Sequence, residues 1–152
     1  MFLRSKKKEP PEQSVMIRDY SPEDYPRIIE LWKLTGMGDE QRGDDQQVIE
    51  RSLELGGRLL VMIRQSGNEI IGTSWITFDG RRLHLHHFGI HPDYQGQGLS
   101  HRLAEASIAF AREKKTQIKL EVHRNNRKAV SLYKKHGFKY LGDYNVYIIR
   151  DP

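Results

Sequence analysis

The sequence predicts a single mixed α/β domain with elements in the order βααβββαβαββ. Three observations predict it. Apolar residues switch between the two-residue period of strands and the longer period of helices along residues 15–150. A glycine-spaced junction, Gln95-Gly96-Gln97-Gly98, joins an apolar strand to a helical stripe. The 152 residues contain no cysteine, so the chain suits one domain held by its core and not by disulfides.

Residues 1–14 read as a flexible basic leader outside the domain of 15–152. Arg4, Lys6, Lys7 and Lys8 outnumber Glu9 and Glu12, and Pro10-Pro11 opposes helix. Val15 to Tyr20 is a short strand. Ser21-Pro22-Glu23-Asp24 then opens a helix: serine caps, proline suits the first position, and acids suit the positive end. Ile28, Leu31 and Trp32 form its buried stripe, and Gly36 and Gly38 end it. The polar stretch 36–47 reads as a mobile loop. A second helix runs from Asp44 to Leu55 and closes at Gly56-Gly57.

A three-strand meander follows. Leu59 to Arg64, Glu69 to Phe78 and Arg81 to Ile90 are separated by turn signals at Ser66-Gly67-Asn68 and Asp79-Gly80. Leu99, Leu103, Ala106 and Phe110 give the third helix, over 97–114. Gln117 to His123 alternates, with Ile118, Leu120 and Val122 on one face and Lys119, Glu121 and His123 on the other. Asn125 or Asn126 caps a fourth helix that ends at Gly137. Phe138 to Leu141 and Tyr144 to Ile149 read as two final strands. The expected core includes Leu85, Phe88, Ile90, Leu103, Phe110, Leu120, Val122, Leu132 and Phe138.

Several function classes are excluded or disfavoured. Without cysteine there is no thiol nucleophile and no cysteine-ligated zinc. No apolar run spans a membrane, and no secretory signal follows the basic start, so a cytoplasmic location is expected without membrane partners. The formal net charge of +5 is mild and mixed, and no RNA-binding signature accompanies it, so nucleic acid is not expected as a partner. A P-loop is ruled out because Gly98-Leu99-Ser100 lacks the required lysine. His84, His86, His87 and His91 are not expected to hold a metal, because strand alternation spreads them over both faces. What remains at 95–100 is a helix N-terminus with glycines in front of it, which suits an anion such as a phosphate.

Two segments resemble known signatures. His91-Pro92-Asp93-Tyr94-Gln95-Gly96-Gln97-Gly98-Leu99-Ser100 resembles the acetyl-CoA pyrophosphate signature of the GNAT N-acetyltransferase superfamily. Leu120 to Phe138, which includes Asn125-Asn126-Arg127 and Leu132-Tyr133, resembles its second signature. The element order agrees, and the resemblance covers about residues 15–150. Ser100 departs from the glycine or alanine usual at that place. Among members, the chain is similar to the ribosomal-protein alanine N-acetyltransferases.

The resemblance implies direct acetyl transfer from acetyl-CoA to a primary amine, a protein N-terminus or a small molecule, without a metal. It implies a mostly antiparallel central sheet whose fourth and fifth strands splay into a V. Phe88, Gly89 and Ile90 would then line the thioester, and a backbone N–H there would hold the developing oxyanion. Gln95, Gly96, Gln97, Gly98, Leu99, Ser100 and His101 would hold the diphosphate, and Asn126 would bond the cofactor. Tyr133, seven residues after Asn126, matches the general acid. Two bases match different members: Glu121, and the pair His84 and His86 on one strand face. A bulge in that strand would change which histidines face the cleft. Substrate choice would fall to 33–47 and the last two strands. A non-catalytic acyl-CoA sensor of the same fold is the alternative reading, and either a monomer or a homodimer fits.

Overall fold

The computed structural model describes residues 14–38 and 40–152. The leader, apart from Ser14, lies outside the described residues. Strand β1 (Val15–Asp19) leads through a 3-10 turn (Pro22–Asp24) into α1 (Tyr25–Thr35), then α2 (Gln46–Glu54). The meander is β2 (Arg58–Arg64), β3 (Glu69–Phe78) and β4 (Leu83–Ile90). Helix α3 (Leu99–Lys114), strand β5 (Ile118–Leu120) and helix α4 (Arg127–Lys135) complete it. The five strands lie in sequence order, antiparallel except for the parallel pair β4–β5.

Both faces of the sheet are covered, which is why β2 and β3 are buried nearly throughout. Leu59, Val61, Ile63 and Trp75 pack with Ile28, Leu31 and Trp32 of α1 and Ile49 of α2. Leu60, Met62, Ile71 and Ile90 face the other way, onto Leu99 and Leu103 of α3. Leu83 and Leu85 continue that second layer onto Ala111 and Tyr133. Of the expected core, Leu85, Ile90 and Leu103 are fully buried, whereas Phe88, Phe110, Leu120, Val122, Leu132 and Phe138 pack at its margin.

The entry to α1 is fixed by Asp24. It is 1% exposed, receives the Ser21 N–H at 2.8 Å, and pairs with Arg18 at 2.7 Å and Arg27 at 3.0 Å. Those partners hold its carboxyl below the usual range, the Arg18 hydrogen bond foremost.

The structure departs from the sequence reading in three places that matter. β5 is three residues long, where seven were expected. The two strands expected over 138–141 and 144–149 are absent: these residues carry no strand, and Tyr140 and Tyr147 are 87% and 89% exposed. Strand propensity forms a strand only beside a hydrogen-bonded neighbour, and among the described residues no strand pairs with them. Third, β4 is bulged. Thr73 pairs Gly89 and Trp75 pairs His86, so two residues of β4 oppose Ser74. His87 takes φ +42 to absorb the extra residue.

Candidate functional site

The β4–β5 pairing begins at Leu83–Ile118 and stops at Leu85–Leu120. Beyond it β4 runs on to Ile90 while the chain after Leu120 turns toward α4, and the two diverge. A cleft of about 780 Å³ fills the divergence. That is within the range of small-molecule sites.

At one end lies the start of α3. Gly96 and Gly98 adopt φ +80 and +76, a region open to glycine at little cost. Gly98 is the N-cap, so no side chain caps this helix, and a Cβ placed there would meet nothing within 4 Å. The first-turn amides of Leu99 and Ser100 are donors that the helix cannot satisfy. The loop before them is held rigidly. Gln95 Nε2 donates to the Ile90 carbonyl at 2.9 Å. Tyr94 is wholly buried, donates to Glu69 at 2.8 Å and accepts from Arg64 at 3.2 Å. An uncapped helix end facing open space turns its N–H donors and positive dipole end toward the cleft, an arrangement that suits an anion. His101, one turn in, shares a 2.9 Å hydrogen bond with His136 across to α4.

The middle of the cleft has Phe88, Gly89 and Ile90 on one wall and Val122, Asn126, Ala129, Leu132 and Tyr133 on the other. The Tyr133 ring is held edge-on by Phe88 at 5.7 Å and Phe138 at 5.6 Å. That burial pushes its phenol up to about 12. Asn126, not Asn125, caps α4: its Oδ1 accepts the Ala129 N–H at 3.3 Å. The cap leaves the amide NH₂ of Asn126 unused.

The other end is lined by Met37, His84, His86, His87, Glu121 and His123. The bulge overturns the expected distribution of histidines. His87 packs against Trp32 at 4.4 Å and Trp75 at 5.0 Å, and His86 also approaches Trp75. His84 and His86 stack at 4.0 Å, so all three share the α1–α2 face. His91 lies apart and accepts the Asp93 N–H. Among the described residues no group of three histidines or carboxylates could hold a metal ion. His86 bonds Thr77 Oγ1 at 2.9 Å, and burial lowers its imidazole to about 4. His84 is lowered for the same reason, although Glu121, at 3.8 Å, works against the shift. Glu121 is the only carboxylate among the described residues lining the cleft.

Every residue expected at the site lines this cleft except Gln97. Met37 and Asp44 lie in the 33–47 stretch expected to choose the substrate, whereas His87 carries no expected role in the site. His87 Nε2 meets Asp44 Oδ2 at 3.0 Å, and both side chains are nearly buried. Gly38 sits against that pair, where a Cβ would clash with Asp44 Oδ2 and His87 Nε2. Met37 lies over Gly89, where a Cβ would meet its sulfur at 2.8 Å. The two glycines therefore let the α1–α2 connection close onto the bulge. The sequence signal for this was His86-His87, two like side chains in a row where strand alternation would separate them.

The Acetyltransferase (GNAT) family model matches residues 18–138, which contain the whole cleft. The chain belongs to that family. It is an N-acetyltransferase. An acetyltransferase of Sodalis glossinidius, SG1711, is 30% identical over 123 residues, 78% of this chain and 83% of that one. Two solved structures share the fold. An acetyltransferase from Streptococcus agalactiae 2603 superposes with TM-score 0.76 at 22% identity, covering 90% of this chain and 92% of that one. An acetyltransferase from Salmonella typhimurium, solved with its cofactor acetyl-CoA, gives 0.69 at 21% identity, covering 83% and 80%.

Proposed function

We propose that the enzyme passes the acetyl group directly to a primary amine that enters beside Glu121. One observation carries this reading: a single cleft joins an uncapped helix end, a splayed strand edge, a buried tyrosine and a lone carboxylate, in that order. The amides at Leu99 and Ser100 hold the diphosphate, and the NH₂ of Asn126 is a further donor. A backbone N–H of Phe88–Ile90 holds the carbonyl oxygen as charge develops on it. The amine nitrogen bonds the carbonyl carbon and the carbon–sulfur bond breaks. Tyr133 gives its proton to the departing sulfur, which it can do because its phenol stays protonated far above neutral pH. Glu121 takes the proton that the amine sheds, and its return through solvent to the Tyr133 phenolate restores both groups. His84 and His86 stay neutral beside it, so Glu121 supplies the charge that draws a cationic amine.

The test is a screen of amines for acetyl-CoA-dependent thiol release. It should include peptide N-termini, lysine side chains, polyamines and aminoglycosides. Turnover with a primary amine is expected, together with a rise in melting temperature when acetyl-CoA alone is added. A melting shift with no turnover on any amine would leave only a sensor. No shift at millimolar acetyl-CoA would remove both readings.

The α1–α2 connection, clamped by Asp44 and His87, forms the wall of the acceptor end. Gly38→Ala drives a methyl into that clamp and should raise KM for the amine about tenfold, roughly 1.4 kcal/mol. KM for acetyl-CoA should not change. Parallel loss of both would place the damage in the fold instead.

A further inference from the structure

Two histidines meet across the α3 end of the cleft, and neither has a part in the acetyl transfer itself. His101 is the third residue of α3, and His136 closes α4. Nδ1 of His101 lies 2.9 Å from Nε2 of His136, with the rings tilted at 42°. Both partners sit on fixed backbone. The His136 N–H donates to the Leu132 and Tyr133 carbonyls at 3.2 and 3.1 Å, and the Phe138 N–H returns to the Tyr133 carbonyl at 3.0 Å. The His101 N–H donates to the Gly98 carbonyl at 3.2 Å.

A neutral imidazole carries one N–H, so the bond made at one ring nitrogen decides what the other offers. With Nδ1 of His101 accepting, its Nε2 carries the hydrogen and donates. With Nδ1 donating, its Nε2 holds only a lone pair. A phosphate oxygen accepts, so it bonds the first form and is repelled by the second. The placement of His101 suits such a partner. Helix side chains lean toward the N-terminus, so a third-position residue reaches back to the end where the Leu99 and Ser100 amides are free. His101 lines the cleft there, whereas His136 stands behind it and does not. Nε2 of His101 has no hydrogen-bond partner among the described residues.

We propose that His136 is a positioning residue for the cofactor: it donates its Nε2–H to Nδ1 of His101 and so holds His101 with its own Nε2–H turned to the diphosphate. The role rests on the α3 end being the diphosphate site. The bond acts in two ways. It selects the tautomer in which His101 donates. It also fixes the ring before the cofactor arrives, so less side-chain freedom is lost on binding. The effect falls on affinity for the phosphate-bearing part of the cofactor. It does not fall on the chemical step, because Glu121 lies at the opposite end of the cleft.

The test compares two ligands by calorimetry, with no amine needed: acetyl-CoA, and S-acetylpantetheine, which has the thioester but no phosphate. His136→Phe keeps an aromatic ring and removes the donor. Its Kd for acetyl-CoA should rise about tenfold, the usual worth of one hydrogen bond to a charged group. Its Kd for S-acetylpantetheine should change less than about twofold. His136→Gln, whose amide N–H stands in for the imidazole Nε2–H, should restore the affinity for acetyl-CoA. Should His136→Phe fail to fold, His136→Ala removes the same donor and carries the same expectation. Unchanged acetyl-CoA affinity in a folded variant lacking the donor would overturn the role of His136 and leave the diphosphate site standing. An equal loss in His136→Gln and His136→Phe, or an equal loss for both ligands, would overturn it by making His136 a packing residue. A wild type that does not bind acetyl-CoA would remove the diphosphate site and this role with it.

Discussion

Tyr133→Phe should lower kcat by about 10²–10³-fold while leaving both the fold and acetyl-CoA binding intact. The size follows from losing the proton donor to the departing sulfur, whose charge would then develop with only solvent to meet it. The selectivity follows from the surroundings of the ring. Phe88 and Phe138 hold it edge-on, and those contacts need the ring and not the hydroxyl. Burial is the only force acting on the phenol's acidity, so no charged partner is orphaned when the oxygen goes. The change also conserves volume, and stability should stay within about 1.5 kcal/mol of the wild type. The measurement is a pair: steady-state kcat, and the melting shift produced by acetyl-CoA. A fall in kcat with an unchanged shift assigns the hydroxyl to chemistry. Unchanged kcat would leave Tyr133 as packing between α4 and β4.

How much of this was legible before the structure depends on whether the signal was local. The strands β2, β3 and β4 and all four helices follow from periodicity and caps, because Leu59–Arg64 and the Leu99–Leu103–Ala106–Phe110 stripe state their faces outright. The helix-end site was legible for the same reason: Gly96 and Gly98 need positive φ, and the sequence says glycine. The bulge at His87 was not, since one inserted residue leaves no mark on composition and is decided by the pairing of β4 with β3. That single residue moved His87 onto the face of His84 and His86 and turned an expected scatter of imidazoles into one wall of the cleft. The clamp of Asp44 on His87 joins residues 43 positions apart, and nothing in either neighbourhood announces it. The terminal strands show the opposite failure. The local signal at 144–149 was strong, but a strand is a relation between two segments, and among the described residues no strand pairs with this one.

The proton taken from the amine decides the second large effect. Glu121→Gln should lower kcat by about 10²-fold, whereas His86→Ala should cost much less. The electrostatics make the distinction. An ordinary imidazole titrates near 6.5 and would give kcat an acidic limb there. Burial holds His86 at about 4 and His84 below its usual value, so both are poor proton acceptors at neutral pH. The kcat of the wild type should therefore stay level as pH falls through about 6.5 and drop only below it. It should show no alkaline limb through about pH 10, because Tyr133 releases its proton only near 12. Stability must be followed in parallel. The unfolded chain protonates His86 near 6.5 and the folded chain only near 4, so the unfolded state gains protons first and stability falls across that window as pH drops. The depressed carboxyl of Asp24 acts in the same direction at lower pH, its stabilisation fading as it is protonated. An acidic limb that persists unchanged in Glu121→Gln but vanishes in His86→Ala, with both proteins folded by circular dichroism, would move the base to the histidine. A limb that vanishes in Glu121→Gln alone fixes it on the carboxylate at the point where β4 and β5 part.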